Sequence, residues 1–519
     1  MSKKENGAGM VGFIFIAILL SKLLGLLRGS AVALFYGTDY VASAYSMASQ
    51  LPVNFFDMIL GSAVSSAFIP VYNKFSQTDG RQRADRFASR FINLILIATV
   101  ILSAIGVVFA PQIIGLMGSG MEPRAADLAS QLLRIMFPLV IFTGLAFTFV
   151  GILQSLGEFK IPAIMSLISN LVCIIYLFTL NDKFGVYGLS AALLVGWALQ
   201  FLILVYPAKN RGYNYSLTAG IYDSGFKDVA KLALPVLLAS WVQPINTMVN
   251  MSIASGLGDG GGIAVLDYAN KLYIIAASAF SMAVTNYIFP RLSRLGAENN
   301  GQEWADTLVK SIRLVLFAVL PIMLIFLVGS EEIIRIIYGR GQFGEESVRM
   351  TSSAMRFYSL GMIWFALQEI FNKAFYSVMD SKTPVIAAVG GIIINVTLSF
   401  VLSESMGVDG LALAASVSAF ACFIFSFVRL QKKTGRMKNM GMVKLIVCGV
   451  LSIAAFWFAR KFAISFIGTD GFIKTVFTFA VTVASGGLVY LVGAVVLKVN
   501  EAQIILKTLG GFILPHLKK

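Results

Sequence analysis

Two cationic side chains lie inside an apolar stretch close to the N-terminus. Residues 21–37 read SKLLGLLRGSAVALFYG, with Lys22 and Arg28 in the stretch and no acidic residue between them. A full charge near the middle of a bilayer costs a few kcal/mol or more, so an intramembrane cation commonly has a function. At a rise of about 1.5 Å per residue, the two cations would lie about 9 Å apart along one helix. The chemistry that they offer is the electrostatic binding of an anion.

A second group of charged side chains occurs in VLDYANKLY, residues 265–273. Lys271 follows Asp267 by four residues, a spacing at which two side chains meet on one face of a helix. The two residues can form a structural salt bridge, or Lys271 can face a cavity together with Lys22 and Arg28. Three converging cations would suit a phosphate or a diphosphate, which accepts several charge-assisted hydrogen bonds.

The motifs of the common enzyme classes are missing from the sequence. There is no GxxxxGK[ST] phosphate loop, which argues against ATP hydrolysis. The single histidine, His516, argues against His-based catalysis and histidine metal sites, and we expect no bound metal. We therefore expect a protein that is not an enzyme and has no cofactor. Its transport would be driven by coupling to Na⁺ or H⁺, or by the membrane potential.

The elements that carry these charges are long apolar segments. Hydrophobic residues make up 57% of the 519 residues and charged residues 13%, a composition typical of a polytopic helical membrane protein. The apolar runs are continuous rather than alternating, which favours helices over a β-barrel. The sequence predicts an all-α fold with 14 transmembrane helices. The net charge of +15 then reflects basic loops rather than the binding of nucleic acid.

The charge of the connecting segments predicts the orientation in the membrane. If the N-terminus is cytoplasmic, the basic segments 73–86, 208–216 and 429–440 all lie on the cytoplasmic side. This arrangement satisfies the positive-inside rule, whereas the opposite orientation violates it. We therefore expect a multi-pass protein with both termini in the cytoplasm.

The two halves of the sequence resemble each other. SLGEFKIP (155–162) aligns with SVMDSKTP (377–384) at an offset of 222 residues, with Ser, Lys and Pro matched. SSAFIPVYNKF (65–75) aligns with TNYIFPRLSRL (285–295) at an offset of 220 residues. Chance would rarely keep nearly one offset across several motifs, so the alignment indicates an internal repeat.

The repeat predicts the domain organisation. Residues 1–220 and 221–440 would form two pseudo-symmetric lobes of six helices each, and residues 441–519 would form two further helices and a cytoplasmic tail. The offset spans an even number of helices, so both lobes would cross the membrane in the same sense, as in transporters built from parallel repeats. A substrate would bind between the lobes and cross by alternating access.

Several segments of the sequence resemble the MurJ/MviN family of lipid II flippases, which lies within the wider multidrug, oligosaccharidyl-lipid and polysaccharide exporter superfamily. The segments are SKLLGLLRGSAVALFYG, AYSMASQLP (44–52), SAVSSAFIPVYNKF (62–75), NTMVNMSIASGL (246–257), LDYANKLY (266–273) and GLALAASVSA (410–419). The resemblance covers the whole chain. It implies a flippase for lipid II, an undecaprenyl-diphosphate-linked peptidoglycan precursor, in the bacterial plasma (inner) membrane, with roles in cell-wall biogenesis and cell shape. We expect a monomer surrounded by membrane lipids, with no nucleic-acid partner.

The resemblance also implies which residues bind the substrate. In this family, basic residues of the first, second and eighth membrane-spanning helices line a central cavity. The corresponding diphosphate-binding residues here are Lys22, Arg28 and Lys271. Further candidates for the cavity lining are Ser43, Gln50, Asp57, Asp267 and Asn270. Some relatives have a sodium site, for which the candidates here are Asn250, Asn395 and Ser399. Polar packing between helices is the alternative role of these last three residues.

The sequence departs from the family pattern at several of these positions. Lys22 and Lys271 stand where Arg is usual, and Gly29 and Ser43 stand where an acidic residue is common. Lysine holds a phosphate as a point charge and lacks the bidentate fork of arginine. The alternative cargo is therefore another lipid-linked oligosaccharide, such as a capsule or spore-wall precursor. An ion-coupled multidrug exporter is a less favoured alternative, because intramembrane carboxylates are scarce.

Overall fold

The protein is helical throughout the part of the chain that the structure describes, and this part contains no β-strand. The structure is a computed structural model, and it describes residues 2–216, 222–240, 242–298, 300–434, 442–469 and 471–503. The predicted all-α fold is confirmed.

The helices form two compact units, Met1–Ala264 and Val265–Lys519. The helices of the first unit are α1 (Ser2–Tyr36), α2 (Tyr40–Ser49), α3 (Phe56–Ala63), α4 (Ile69–Thr78), α5 (Arg81–Val108), α6 (Ala110–Met117), α7 (Pro123–Met136), α8 (Leu139–Ser155), α9 (Lys160–Thr179), α10 (Asn181–Asn210), α11 (Phe226–Ser240) and α12 (Val242–Ala254). The helices that follow are α13 (Gly262–Ala297), α14 (Gly301–Val328), α15 (Ser330–Ile337), α16 (Glu345–Leu360), α17 (Met362–Ser377), α18 (Lys382–Met406), α19 (Val408–Thr434), α20 (Met442–Phe466) and α21 (Phe472–Val496). The predicted lobe limits at residues 220 and 440 stay predictions.

Most of the predicted spans are found as single long helices. Within the described ranges, eleven helices are long and apolar enough to cross a membrane, and the pair α7/α8, bent by 41°, makes a twelfth. Two further apolar segments are each divided into a pair of shorter helices, α11/α12 and α16/α17. Position 241, between α11 and α12, lies outside the description, and α16 begins with two glutamates. The multi-pass fold is confirmed, while the count of 14 stays a prediction.

The second span is interrupted by π-helical turns. The helical run from Tyr40 to Thr78 contains π-helical segments at Gln50–Phe55 and Val64–Phe68. The first segment contains Pro52, which has no backbone N–H to donate to the preceding turn. Such turns frequently lie at functional sites, and the predicted cavity residue Gln50 is the first residue of this one.

An aromatic cluster fills the space between α4 and α5 at one end of the first unit. The ring of Phe68 lies 4.8 Å from that of Phe91 and 5.7 Å from that of Phe87, and all three side chains are buried. Tyr213, which follows α10, belongs to the same buried cluster, and its hydroxyl lies 3.2 Å from the Oγ of Ser89. This contact holds Tyr213 against α5.

Asp223, which also follows α10, is attached to α5 through a buried cluster of ion pairs. Its carboxylate accepts two hydrogen bonds from Arg83, at 2.8 and 2.9 Å, and one from Arg90 at 2.9 Å. The backbone N–H of Gly225 donates a further bond at 2.8 Å. Burial alone would raise the pKa of Asp223, but these four hydrogen bonds outweigh it and lower the pKa below the ordinary value of 3.8. The carboxylate is therefore ionised and fully paired.

We expect Asp223→Asn to lower the free energy of unfolding by about 1–3 kcal/mol at neutral pH, because Arg83 and Arg90 lose their shared carboxylate. Because the pKa is lowered in the folded state, the stabilisation is complete above the ordinary pKa of 3.8 and declines as the pH falls towards the folded-state value. The unfolding temperatures of wild type and Asp223→Asn should be measured between pH 7 and pH 3. The difference between them should become smaller below about pH 4.

The matched control for this experiment is Asp228→Asn. Asp228 pairs with Lys74 at 2.8 Å, but both side chains are about half exposed. An exposed pair contributes little to stability, so this variant should unfold at the wild-type temperature. If the unfolding temperatures of wild type and Asp223→Asn differ by the same amount at pH 3 and pH 7, the ion pairs are not the cause of the difference.

Candidate functional site

The two cations of the first span, Lys22 and Arg28, lie on α1. Both Lys22 and Arg28 are partly buried, and α1 packs along α9. Arg28 lies within hydrogen-bonding reach of the Cys173 thiol on α9. Between the two cations, Gly25 brings the backbone of α1 close to the side chain of Asn170, which lies 4.0 Å from where a Cβ would stand. Arg28 therefore has a polar neighbour that the sequence did not indicate.

Three of the predicted cavity residues, Ser43, Gln50 and Asp57, lie in the helical run from Tyr40 to Thr78. Ser43 is fully buried, and its Oγ accepts a hydrogen bond of 3.4 Å from the backbone N–H of Ala264, at the start of α13. Gln50 is buried, and its Oε1 accepts a hydrogen bond of 2.6 Å from Asn54. Asp57 lies in α3, and its side chain falls outside the described part of the structure. The lining of a cavity by these residues stays a prediction.

Lys271 and Asp267 form a salt bridge on α13 in the second unit. The Nζ of Lys271 lies 2.6 Å from Oδ2 of Asp267, the contact that their four-residue spacing predicts. The carboxylate side chain is only 10% exposed, whereas the lysine side chain is 44% exposed. Asn270 lies beside them and is partly buried. Asp267 thus positions the ammonium group and leaves it accessible to a second anion.

The candidate residues for a cation site lie in buried positions. Asn250 lies on α12 of the first unit and is buried. Asn395 and Ser399 lie one turn apart on α18 of the second unit, and both are also buried. Among the described residues, neither Oδ1 nor Nδ2 of Asn395 has a hydrogen-bond partner. A buried amide left unpaired is costly and commonly has water or an ion beside it. The described residues contain no group of three or more His, Cys, Asp or Glu side chains that could hold a metal ion.

A tight backbone contact joins two turns at the other end of the first unit. The N–H of Gly120, between α6 and α7, donates to Oγ of Ser255 at 2.9 Å. A Cβ on Gly120 would lie 2.6 Å from the backbone nitrogen of Gly256, which is closer than atoms can approach. The hydroxyls of Ser119 and Ser252 lie 3.4 Å apart beside this contact. The end of α12 is therefore held directly against the α6–α7 turn.

The sequence of this chain matches a known protein family over nearly its whole length. The model of the family described as "Lipid II flippase MurJ" matches residues 32–496. The chain belongs to this family. The resemblance inferred from the sequence motifs is thus confirmed.

Individual members of the family match the chain over most of their length. The probable lipid II flippase MurJ of Rhizobium meliloti is 28% identical over 460 residues, which are 85% of this chain and 86% of the relative. The probable lipid II flippase MurJ of Rickettsia prowazekii is 26% identical over 502 residues, 94% of this chain and 97% of the relative. The lipid II flippase MurJ of Burkholderia cenocepacia is 25% identical over 437 residues, 83% and 84% of the two chains.

Solved structures give the same assignment. The structure of a lipid II flippase MurJ in an inward closed conformation matches with a TM-score of 0.80 and 26% identity, over 96% of this chain and 99% of that chain. A multidrug resistance MATE family transporter matches with a TM-score of 0.68 and 17% identity, which shows a shared fold alone. This member of the MurJ family is a multi-pass membrane protein.

We expect Gly120→Ala to lower the free energy of unfolding by about 1–3 kcal/mol, because the new methyl group would force the α6–α7 turn away from Gly256. Thermal unfolding of the purified protein measures the effect. Gly256→Ala is the matched control, because a Cβ on Gly256 would lie 3.6 Å from the Cα of Gly120, an ordinary van der Waals distance. Equal losses of stability in both variants would contradict the steric explanation.

Proposed function

We propose that this chain moves lipid II from the inner to the outer leaflet of the bacterial plasma membrane by alternating access. The observation that carries the proposal is the match of residues 32–496 to the lipid II flippase family. The protein would act as a transporter rather than as an enzyme. Its cargo has a charged, hydrophilic head group and a polyprenyl tail, so the head group needs a polar path while the tail can stay in lipid.

The head-group site would use Lys22, Arg28 and Lys271 to bind the diphosphate. A diphosphate offers several anionic oxygens, and each cation can donate charge-assisted hydrogen bonds to them. The partly exposed ammonium of Lys271 and its salt bridge with Asp267 support this role, because the ammonium is already positioned and is accessible. Arg28 would retain bidentate donation to a phosphate, while the two lysines would act as point charges.

Direction and energy would follow from orientation and charge. With both termini in the cytoplasm, the basic loops face the cytoplasm, as the positive-inside rule requires. A membrane potential that is negative inside favours outward movement of an anion by about 2.3 kcal/mol per charge per 100 mV. The potential would therefore drive the anionic head group outward without a bound cofactor. Coupling to Na⁺ or H⁺ is the second possible source, with Asn250, Asn395 and Ser399 as the cation-site candidates, and the chain would act as a monomer.

We expect Lys22→Ala, Arg28→Ala and Lys271→Ala each to reduce lipid II translocation by about 10-fold to 100-fold, because a hydrogen bond to a charged group contributes about 1.5–3 kcal/mol. The measurement is lipid II flipping in cells that depend on this protein. Lys183→Ala is a matched control, because Lys183 is an exposed lysine in the first turn of α10. Lys271→Arg should keep translocation.

Two outcomes would contradict the proposal at different levels. Unchanged translocation in all three alanine variants would show that these residues do not bind the diphosphate. Failure of the wild-type chain to rescue depletion of an established lipid II flippase, together with rescue of a capsule or spore-wall defect, would show a different lipid-linked cargo.

A further inference from the structure

A cluster of five polar side chains lies on α17 and α19 in the second unit. This polar cluster consists of Gln368, Glu369, Asn372, Lys373 and Ser426. The Nε2 of Gln368 donates hydrogen bonds of 3.0 Å to Oδ1 of Asn372 and to Oγ of Ser426. The three uncharged members therefore join α17 to α19. Glu369 and Lys373 lie on the same two turns of α17 and bring the charges of the cluster.

The corresponding positions of the first unit are apolar. The repeat offset of 222 residues places the polar cluster on Ala146, Phe147, Val150, Gly151 and Leu204. Ala146 and Leu204 belong to the buried core of that unit, and Phe147 and Val150 pack against it. Apolar residues therefore suffice for helix packing at these positions. Packing does not account for the two charges of the second unit.

Glu369 is partly buried, and within the described ranges its carboxyl group forms no hydrogen bond and no ion pair. Lys373 follows it by four residues, the spacing of a helical salt bridge, but its Nζ lies instead 5.2 Å from the ring centre of Phe289 on α13. Lys373 and the Tyr376 hydroxyl are the titratable groups of α17 that act on Glu369. An ionised carboxylate without a donor is costly in apolar surroundings, whereas a protonated carboxyl group is neutral. The observed arrangement therefore suits a protonated Glu369.

Charged residues on the helices that pack against α17 have partners of their own or lie towards helix ends. The residues with other partners are Arg313 of α14, which pairs with Glu501, Arg356 of α16, which donates to Ser330, and Arg429 of α19, which lies over the Phe425 ring. The remaining charged residues of α14, α18 and α19 lie within three turns of a helix end, as Lys310, Lys382, Glu404 and Asp409 do. Within the described ranges, Lys373 is therefore the cation placed to neutralise Glu369.

Lys373 can contact either of two partners. Its contact with Phe289 joins α17 to α13 through a cation–π interaction. An ionised Glu369 attracts the ammonium group away from the ring, because a carboxylate one turn away forms a salt bridge with it, as Asp267 does with Lys271 on α13. α13 also carries Lys271 of the proposed diphosphate site. The protonation state of Glu369 therefore decides whether α17 holds the helix that contacts the head group.

We propose that Glu369 is a proton-binding site of the transport cycle. Its carboxylate takes up one proton from water that reaches the polar cluster and later returns one proton to water, while Lys373 stays charged. In the protonated state Lys373 holds α13 through Phe289, and in the ionised state it pairs with Glu369 and releases α13. Carboxylates within membrane-spanning segments serve as proton relays in pumps and transporters. The inference rests on the proposed flippase function, because it makes an inward flow of protons favour the outward movement of lipid II.

Infrared difference spectroscopy of the purified full chain tests proton binding directly, because a protonated carboxyl group has a C=O stretching band that a carboxylate lacks. Between about pH 5 and pH 8, we expect wild type to show a change in this band and Glu369→Gln to lose it. Glu404→Gln is the matched control and should keep the change, because Glu404 is an exposed glutamate in the last turn of α18. Lys373→Met should shift the midpoint to higher pH by about one unit, because the ionised form loses its nearby cation. The same band change in wild type and Glu369→Gln would overturn the proposal.

A second measurement tests the coupling to transport. The full chain is placed in vesicles that contain lipid II, and the membrane potential is held at zero so that a pH gradient acts alone. We expect a gradient that is acidic on the outer side to accelerate translocation by wild type and by Glu404→Gln, and not by Glu369→Gln. Equal acceleration of wild type and Glu369→Gln would overturn the coupling. If wild type moves no lipid II under any condition, the proposed function is wrong, while the infrared measurement, which uses no lipid II, still decides whether Glu369 binds a proton.

Discussion

The apolar interior of the membrane penalises every charged or unpaired polar group that it contains, and this penalty organises the whole chain. Charged residues make up only 13% of the sequence, and most are found near helix ends or in connecting segments. Where an acidic residue is buried, as at Asp223, several donors surround it. A cation inside a span therefore needs either a partner in the protein or a ligand. Arg28 has Cys173 beside it and Lys271 has Asp267, and neither arrangement consumes all of the donors of the cation.

The two repeats have different side chains at matched positions of a similar arrangement of helices. At matched positions the first unit has Phe87, Phe91 and Arg90, and the second has Thr307, Ser311 and Lys310. The first set, with Asp223, makes a closed core in which every charge has a partner. The second set has smaller side chains at the corresponding positions, and Lys310 is exposed. The helical pattern is retained while the side chains at matched positions differ in size and charge, so the repeats can diverge at one place without losing their fold.

Local features of the structure could be predicted from sequence, and tertiary features could not. Hydropathy located most spans because crossing a bilayer requires about 20 apolar residues in one run. The salt bridge between Asp267 and Lys271 could be predicted because helix geometry alone brings positions four apart together. The contact of Arg28 with Cys173 depends on how α1 packs along α9. The π-helical turns at Gln50–Phe55 and Val64–Phe68 were also not predicted, because hydrophobic periodicity does not distinguish them from an ordinary helical turn.

The salt bridge between Lys271 and Asp267 bears on how the proposed site would release its cargo. A transporter gains nothing from holding its cargo as tightly as possible, because binding must be favourable enough to admit the cargo and weak enough to release it. Lys271 is already satisfied in part by Asp267, at 2.6 Å. If Lys271 binds the diphosphate as proposed, its ammonium would return to the Asp267 carboxylate when the diphosphate leaves, which would reduce the cost of release. An arginine at this position could also pair with Asp267, so the alternation between carboxylate and phosphate does not depend on lysine alone. In the proposed site, Arg28 would supply bidentate donation while the two lysines would act as point charges.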